Sequence, residues 1–224
     1  ITMLYDEAAT ADSAAEFLPA MRDGAVWMQS ATVGPAGAVR LADLAARHGV
    51  ATLDAPVLGT KAPAEQGTLT ALISGPDSLL ETVRPVVEAI AVKTVSAGTE
   101  PGAASALKLA CNAMVATLTA ATAQSVAIAR HLGVDPTLFL QALDGGPIGA
   151  PYTQLKGTAM IERAFTPSFG VDGVVKDLDL MIDATDTSAG RLLGAVRAAF
   201  ADASDRGHGS DDMASVIDAF APPA

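Results

Sequence analysis

The chain has 224 residues, of which 50% are hydrophobic and 17% charged, so it can bury the core of one large domain or of two smaller ones. Its formal net charge of −11, without any basic run, excludes nucleic acid as a favoured partner because an acidic surface repels phosphate. One cysteine rules out a disulfide framework, and this cysteine with three scattered histidines predicts no metal site.

The sequence also argues against a membrane protein. No uninterrupted apolar run approaches the roughly 18 residues that a membrane-spanning helix needs. The opening residues, ITMLYDEAAT, lack the basic start of a secretory signal peptide. We therefore expect a soluble cytoplasmic protein that has no membrane partner.

Predicted strands and helices alternate through residues 1–98. Apolar runs bounded by turn residues predict strands at 1–6, 25–32, 50–57, 67–75 and 92–98. Amphipathic stretches between them predict helices at 7–24, 34–49 and 77–91, the last with Asp77 as its N-cap. This alternation is typical of a doubly wound, mostly parallel α/β sheet.

The pattern changes at the segment AGTEPG, residues 97–102. Residues 102–132 form one long apolar stretch of helical character, which Gly133 ends. A short helix follows, with Asp135 as N-cap and Pro136 in its first turn, and further helices are predicted at 174–187 and 188–205. With no strand predicted after residue 100, we expect an α/β domain over residues 1–98 and an all-α domain over residues 99–224.

The loops that follow the strands are the first candidate sites, because an open α/β sheet binds its ligand at the carboxyl ends of its strands. These loops are LYD (4–6), SATVGP (30–35) and PVLGTKAPAEQG (56–67). Thr32 precedes a helix N-terminus, and Gly59 and Thr60 could offer backbone donors to a carboxylate. An ordinary helix cap and an ordinary connection explain these residues equally well.

Lys108 and Asn112 are polar residues within the apolar helix GAASALKLACNAM. At a spacing of four residues they project from one helix face. An ammonium and an amide side by side can hold and protonate a carbonyl oxygen, and burial would bring the lysine pKa towards the working range. The alternative is a lysine at the helix edge that extends its ammonium into solvent.

Two further residues allow a similar pair of interpretations. Lys176 stands beside Asp177 in VVKDLDLMIDA, where a surface ion pair on an amphipathic helix is the simpler interpretation. Cys111 is expected to be a core residue rather than a nucleophile, because no histidine lies near it in sequence.

Three segments resemble, in order, the β-hydroxyacid dehydrogenase family, which includes 3-hydroxyisobutyrate dehydrogenase and the glyoxylate and succinic semialdehyde reductases. They are DAPVLGTKAPAEQGTLTALISG, GAASALKLACNAM and SFGVDGVVKDLDLMI. The tract GTKAPAEQGTL is most similar to the glyoxylate and semialdehyde reductase branch. The resemblance implies a Rossmann-like domain followed by an all-α domain. It also implies hydride transfer between NADP or NAD and a small β-hydroxyacid or its carbonyl counterpart, in a homodimer or homotetramer.

The resemblance also implies roles for the residues of the substrate site. Lys108 matches the catalytic lysine, which protonates the carbonyl oxygen during reduction or stabilises the alkoxide during oxidation. Asn112 matches an amide that positions the substrate. Leu58, Gly59 and Thr60 match the loop that binds the substrate carboxylate.

The residues implied for the cofactor come from both predicted domains. Leu4 and Tyr5 match a cofactor-contacting pair after a strand. Thr32 matches a threonine near the nicotinamide and the substrate. Lys176 matches a lysine that closes on the cofactor from the all-α domain.

The chain departs from the family pattern in three places. Leu58 stands where the family usually has serine, and Ala31-Thr32 stands where it has a Ser-Thr pair. The glycine fingerprint G-x-G-x-x-G does not occur; GHGSDD at 207–212 lacks its third glycine. The resemblance therefore predicts a truncated Rossmann-like sheet and a natural protein with about sixty further N-terminal residues. It also predicts that this chain alone binds dinucleotides more weakly than a complete family member.

Two other functions are compatible with the same outline. One is a non-catalytic dehydrogenase-like module that serves oligomerisation, against which the presence of Lys108, Asn112 and Lys176 argues. The other is an imine reductase-like enzyme, a related architecture in which another residue replaces the lysine.

Overall fold

A computed structural model describes residues 1–186 and 188–220. The chain divides into two compact units, Ile1–Cys111 and Asn112–Ala224. The boundary expected from the sequence follows residue 98, whereas the two units meet within a single helix that begins at Ala103 and ends at His131.

The first unit alternates strands and helices. Its elements in chain order are α1 (Glu7–Phe17), β1 (Val26–Gln29), α2 (Gly34–Arg47), β2 (Ala51–Asp54), β3 (Val57–Leu58), α3 (Lys61–Glu65), β4 (Leu69–Ser74), α4 (Asp77–Ile90), β5 (Ala91–Gly98) and the start of α5 (Ala103–His131). The strands form one sheet in the order β1-β2-β4-β3, and β5 also pairs with β4. The pairs β1–β2 and β4–β5 are parallel, whereas β2 and β3 pair antiparallel to β4.

Side-chain alternation along β1 shows how the sheet is covered on both faces. Trp27 packs in a cluster with Leu18, which follows α1, and with Leu41 of α2. Its neighbour Met28 points to the opposite face and belongs to a second cluster that contains Val83 and Val87 of α4. Helices therefore lie on both faces of the sheet, as in a Rossmann-like domain.

Four predicted elements of this unit differ in detail, and proline explains two of them. The helix predicted at 7–24 is α1, which ends at Phe17 and is followed by a 3₁₀ turn at Leu18–Ala20. Residues 1–6 do not form a strand: Thr2 makes an isolated parallel bridge with Gln29. The run 50–57 is divided into β2 and β3 because Pro56 has no N–H for the ladder. Asp77 is not the N-cap of α4; Pro76 takes that position, and Asp77 is the first helical residue.

The second unit is built from helices. It contains the rest of α5, α6 (Pro136–Leu143), α7 (Pro151–Glu162), α8 (Val171–Ala184), α9 (Leu193–Ala203) and a 3₁₀ segment at Met213–Phe220. Between residues 112 and 220, the described part of the chain holds no strand beyond an isolated bridge between Gly170 and Asp212. Asp135 caps α6 as predicted, accepting a hydrogen bond from the Thr137 amide.

Helix α7 was not predicted, because its buried face carries polar and small residues. Thr153, Lys156 and Gly157 are buried there together with Met160, so the stretch shows no apolar stripe. The boundaries of the next two helices also shift: α8 ends at Ala184, and α9 begins at Leu193 rather than at 188. Residue 187, included in the predicted helix 174–187, lies outside the described residues, as do residues 221–224 of the predicted all-α domain.

Helix α5 is long and apolar enough, by length and composition alone, to cross a membrane. The mean hydropathy of its most apolar window is 1.3, and 39% of that window is buried inside the protein. A core helix of a soluble protein has the same properties, so one such helix is weak evidence for a membrane segment.

A buried ion pair fixes the second unit internally. Nζ of Lys156 lies 2.7 Å from Oδ1 of Asp212, and both side chains are almost completely buried. Oδ2 of Asp212 accepts hydrogen bonds from the amide and hydroxyl of Ser168, and Oδ1 also accepts one from the Ala214 amide. Burial acts to raise the pKa of Asp212, but the bonds from Lys156 and Ser168 outweigh it, so this pKa lies below its ordinary value.

Because the pKa of Asp212 is lowered in the folded protein, the free energy of unfolding depends on pH in the acidic range. A carboxyl whose pKa is lower in the folded than in the unfolded chain stabilises the fold at pH values above its pKa in the unfolded chain, which is about 3.9. That stabilisation is lost as the pH falls through the folded value. In urea unfolding at a series of pH values, Asp212→Asn should therefore be destabilised most at neutral pH and should approach the unsubstituted protein below about pH 4. An equal loss of stability at every pH would contradict this assignment.

Candidate active site

Lys108 lies beside the loop that the sequence marks for a carboxylate. Its side chain is partly buried, and Nζ donates a hydrogen bond of 2.7 Å to the carbonyl oxygen of Val57. Leu58, Gly59 and Thr60 follow Val57 directly in the chain. The first unit therefore brings the lysine and this segment together.

Gly59 holds this loop in a conformation that other residues do not favour. Its φ is +116°, and a Cβ at this position would lie 2.7 Å from Cδ2 of Leu69 and 3.0 Å from Cβ of Pro63. Gly59 and Thr60 are exposed, while Leu58 is half-buried in β3 and pairs with Thr70. The glycine thus lets the chain turn sharply where its backbone is open to a ligand.

A buried carboxylate anchors the start of the helix that carries Lys108. Asp54 ends β2 and is 5% exposed. Its Oδ2 accepts a bond of 2.8 Å from the Ser105 amide, and its Oδ1 one of 2.7 Å from the Ser105 hydroxyl. Ser74 of β4 donates to the same carboxylate at 3.3 Å and accepts from the Ala104 amide. Burial raises the pKa of Asp54, and the bonds from Ser105 and Ser74 oppose this only in part.

A cavity of about 180 Å³ lies next to this cluster, at the carboxyl ends of β1 and β2. Its polar lining consists of Gln29, Thr52, Asp54, Ser74 and Thr99. The residues that line it do not include any of those predicted for the substrate or the cofactor. The cavity therefore lies at the end of the sheet beside Asp54 and Ser74, and it is not lined by Lys108 or by the loop at residues 58–60.

In the second unit, Asn112 and Lys176 share one acidic partner. Nδ2 of Asn112 donates a hydrogen bond of 2.6 Å to Oδ2 of Asp177, and Nζ of Lys176 lies 2.8 Å from Oδ1 of the same carboxylate. The second contact is an ion pair. The ion pair expected between Lys176 and Asp177 is therefore present, but Asp177 is 2% exposed, so the pair is buried rather than on the surface.

The remaining predicted residues lie near the carboxyl end of β1. The Thr2 amide donates to the Met28 carbonyl and the Thr2 carbonyl accepts from the Ser30 amide, on either side of Gln29. The exposed Leu4 and Tyr5 follow after Met3. Thr32 is half-buried and stands two residues before α2 begins at Gly34, so it is not the helix N-cap. Cys111 is half-buried in α5.

The sequence matches two family models that together span most of the chain. Residues 1–98 match the NAD binding domain of 6-phosphogluconate dehydrogenase. Residues 102–220 match the NAD-binding domain of NADP-dependent 3-hydroxyisobutyrate dehydrogenase. The chain belongs to the 3-hydroxyisobutyrate dehydrogenase-like β-hydroxyacid dehydrogenase family. The resemblance found in the sequence is thereby confirmed.

Individual relatives of this β-hydroxyacid dehydrogenase agree with the family models. It is 31% identical to an L-threonate dehydrogenase of Escherichia coli O6:H1, over 89% of this chain and 67% of that protein. It is 27% identical to a chloroplastic glyoxylate/succinic semialdehyde reductase of Arabidopsis thaliana, over 88% of this chain and 55% of that protein. The crystal structure of a 3-hydroxyisobutyrate dehydrogenase from Salmonella typhimurium superposes with a TM-score of 0.87 at 26% identity, covering 96% of this chain and 77% of that one.

Membership of the β-hydroxyacid dehydrogenases establishes the class of reaction. The chain is an NAD(P)-dependent oxidoreductase, and its Rossmann-like domain followed by helices confirms the expected fold class. NADP or NAD is the cofactor, as expected from the sequence. These relatives also support a soluble protein that acts on a small molecule.

The residues at the end of β1 fit part of a dinucleotide site. The Ser30 side chain is 4% exposed, and its hydroxyl has no hydrogen-bond partner among the described residues. A buried hydroxyl without a partner is costly, so a ligand that bonds it is favoured. Thr32 stands two residues after Ser30. The exposed Leu4 and Tyr5 stand two and three residues after Thr2, whose carbonyl accepts the backbone amide of Ser30.

The sequence alone did not identify Asp54, Ser105 or Asp177. Two of them carried a signal that could have been used: Asp54 is a single acid at the end of an apolar strand, and Asp177 is the neighbour of Lys176 within an amphipathic helix. A polar residue at a position whose neighbours are buried is itself evidence of a partner. Ser105 is a small residue near a helix start, and its sequence context predicts nothing more.

Proposed function

We propose that this dehydrogenase transfers a hydride between NADP or NAD and a small carboxylate-bearing β-hydroxyacid or its carbonyl counterpart, with Lys108 as the general acid and base. The placement of Lys108 supports this proposal most directly: Nζ lies 2.7 Å from the Val57 carbonyl, at the beginning of the loop that contains Gly59 and Thr60.

The chemistry follows from that placement. The nicotinamide, when bound, gives or accepts the hydride. During reduction, the Lys108 ammonium donates a proton to the substrate carbonyl oxygen; during oxidation, the neutral amine takes the hydroxyl proton. The backbone N–H groups of Gly59 and Thr60 bind the substrate carboxylate, as exposed loop amides bind anions elsewhere. Leu58 contributes no hydroxyl to this loop, so recognition there rests on the backbone.

Asn112 and the proposed cofactor residues complete the assignment. The Asn112 NH₂ group is bonded to Asp177, so we assign its carbonyl oxygen the role of accepting a hydrogen bond from the substrate hydroxyl. We assign Leu4, Tyr5, Thr32 and Lys176 to the cofactor.

The names of the relatives suggest a substrate panel of L-threonate, 3-hydroxyisobutyrate, glyoxylate and succinic semialdehyde. We expect kcat/KM for the preferred acid to exceed that for its methyl ester by about 10- to 100-fold, because the ester loses charge-assisted hydrogen bonds to the loop. Steady-state assays with each cofactor measure this ratio. Equal values for the acid and the ester would contradict a carboxylate site at Gly59 and Thr60.

We also propose that the protein is a cytoplasmic homodimer or homotetramer that assembles through its helical part. From Leu109 to Ala129 the sequence of α5 has no charged residue, and Met114 and Ile128 are at least 50% exposed. An exposed apolar face of this kind is typical of an interface. Sedimentation velocity at micromolar concentration should show an even oligomer that Ile128→Asp weakens. A monomer, or equal weakening by Val92→Asp on the exposed strand β5, would contradict this interface.

A further inference from the structure

Two hydrogen-bonded pairs join the segment 54–57 to the beginning of α5 with the same offset in sequence. Asp54 bonds to Ser105, and Val57 bonds to Lys108; each pair is separated by 51 residues. Ser105 and Lys108 are three residues apart and therefore lie on one face of the helix, one turn from each other. The buried carboxylate and the lysine contact are thus two successive attachments of the same helix face to the same segment.

The carboxylate of Asp54 supplies the helix cap that α5 does not obtain from its own sequence. It accepts a hydrogen bond from the Ser105 N–H, one of the first N–H groups of the helix, and the Ser74 hydroxyl accepts that of Ala104. These groups carry the partial positive charge of the helix N-terminus and favour a carboxylate. Because the cap comes from β2, it joins the helix start to the sheet.

Gly102 makes this attachment close and rigid. Its φ is +89°, and a Cβ would lie 2.7 Å from the carbonyl oxygen of Pro35 at the start of α2. The beginning of α5 is therefore confined on one side by the backbone of α2 and on the other by Asp54. A helix fixed in this way cannot rotate about its axis without breaking buried hydrogen bonds.

We propose that Asp54, acting through Ser105, is a positioning residue that sets the rotation of α5 and so places Nζ of Lys108 at the Val57 carbonyl. This inference rests on the proposed function of Lys108. A helix that slips by one residue turns by about 100° and moves by about 1.5 Å, which would carry the lysine away from the loop at Gly59. Misplacement of a catalytic group by about 1 Å can cost about 100-fold in rate.

The test compares variants that break the attachment to different degrees. Ser105→Ala removes one bond to Asp54 and keeps the amide bond, Asp54→Asn weakens both, and Ser105→Thr keeps the hydroxyl. Thr82→Ala, which removes an exposed hydroxyl of α4 bonded to Ser78, is the matched control. The gentler Ser105→Ala keeps the proposal testable if Asp54→Asn does not fold.

Two readouts separate positioning from simple stabilisation. One is the ¹³Cε chemical shift of Lys108 in the lysine-labelled protein, whose five lysines give few signals and whose Lys108 signal is identified by its absence in Lys108→Arg. The other is kcat measured well below the unfolding temperature. We expect Ser105→Ala and Asp54→Asn to move the Lys108 signal and to lower kcat by about 10- to 100-fold, with cofactor KM within about twofold. Ser105→Thr should restore both values.

The outcomes distinguish this inference from the proposed function. A folded Asp54→Asn protein with an unmoved Lys108 signal and unchanged kcat would overturn the inference. Normal turnover by Lys108→Ala would instead overturn the function proposed for the lysine, and the chemical shift would still show whether Asp54 positions it. If kcat fell no further in Ser105→Ala and Asp54→Asn than in Thr82→Ala, the loss would reflect stability alone and the inference would also be overturned.

Discussion

Replacing Lys108 by alanine will lower kcat by about 10²- to 10⁴-fold and leave the protein folded. This range is typical for the loss of a general acid, and no other side chain is held at the Val57 carbonyl to replace the lysine among the described residues. The folded state should persist because the hydrogen bond to the Val57 carbonyl contributes only about 1 kcal/mol. Steady-state kinetics in both reaction directions measure the loss, and circular dichroism monitors the fold.

Lys93→Ala is the matched control for this experiment. Lys93 is an exposed lysine on β5, so its removal changes the net charge by the same amount without touching the proposed site. Turnover by the Lys93 variant should equal that of the unsubstituted protein. If Lys108→Ala retained normal kcat, the assignment of Lys108 as general acid and base would be wrong.

Lys156→Met will lower the free energy of unfolding by about 3–5 kcal/mol. The substitution leaves the Asp212 carboxylate buried without its counter-charge, and an isolated buried charge is far more costly than a missing surface pair. The Ser168 and Ala214 bonds remain but do not neutralise the charge. Urea denaturation at neutral pH measures the change from the midpoint and the slope.

A double variant and a surface control separate the charge effect from a packing effect. Lys156→Met with Asp212→Leu removes both charges and should recover much of the lost stability, because a buried ion pair contributes little compared with well-packed apolar residues. Arg84→Met breaks an exposed pair with Glu81 on α4 and should leave the midpoint unchanged. If the double variant were as unstable as Lys156→Met, packing rather than charge would explain the loss.

The sequence predicted the fold class because its patterns are local. Alternating apolar runs and amphipathic stretches identified most strands and helices of residues 1–98, and an apolar run of helical character identified α5. Helix α7 was missed because the residues that it buries include Thr153, Lys156 and Gly157, and because the burial of Lys156 depends on Asp212, 56 residues away. No periodicity within the helix records the existence of Asp212.

In the candidate site, too, residues with a local sequence signal were predicted, whereas their partners distant in sequence were not. Lys108 and Asn112 stood out because an apolar helix surrounds them, and Gly59 because it lies in a polar loop between apolar strands. The partners that fix them, Asp54 and Asp177, are separated from Ser105 and Asn112 by 51 and 65 residues. Hydrogen bonds over such separations depend on tertiary structure, which spacing in the sequence does not encode.

The bonds Asp54–Ser105 and Val57–Lys108 attach α5 at two points with the same sequence separation of 51 residues, which determines where insertions and deletions can be tolerated. Residues 58–104 form a long excursion between the two attached tetrapeptides, 54–57 and 105–108, and insertions in its exposed turns leave both attachments in place. Adding or deleting one residue within 105–108 would turn Lys108 by about 100° relative to Ser105, so both contacts could no longer form together. In a screen of single-residue insertions, we therefore expect activity to survive around Gln66 and to be lost throughout these two tetrapeptides.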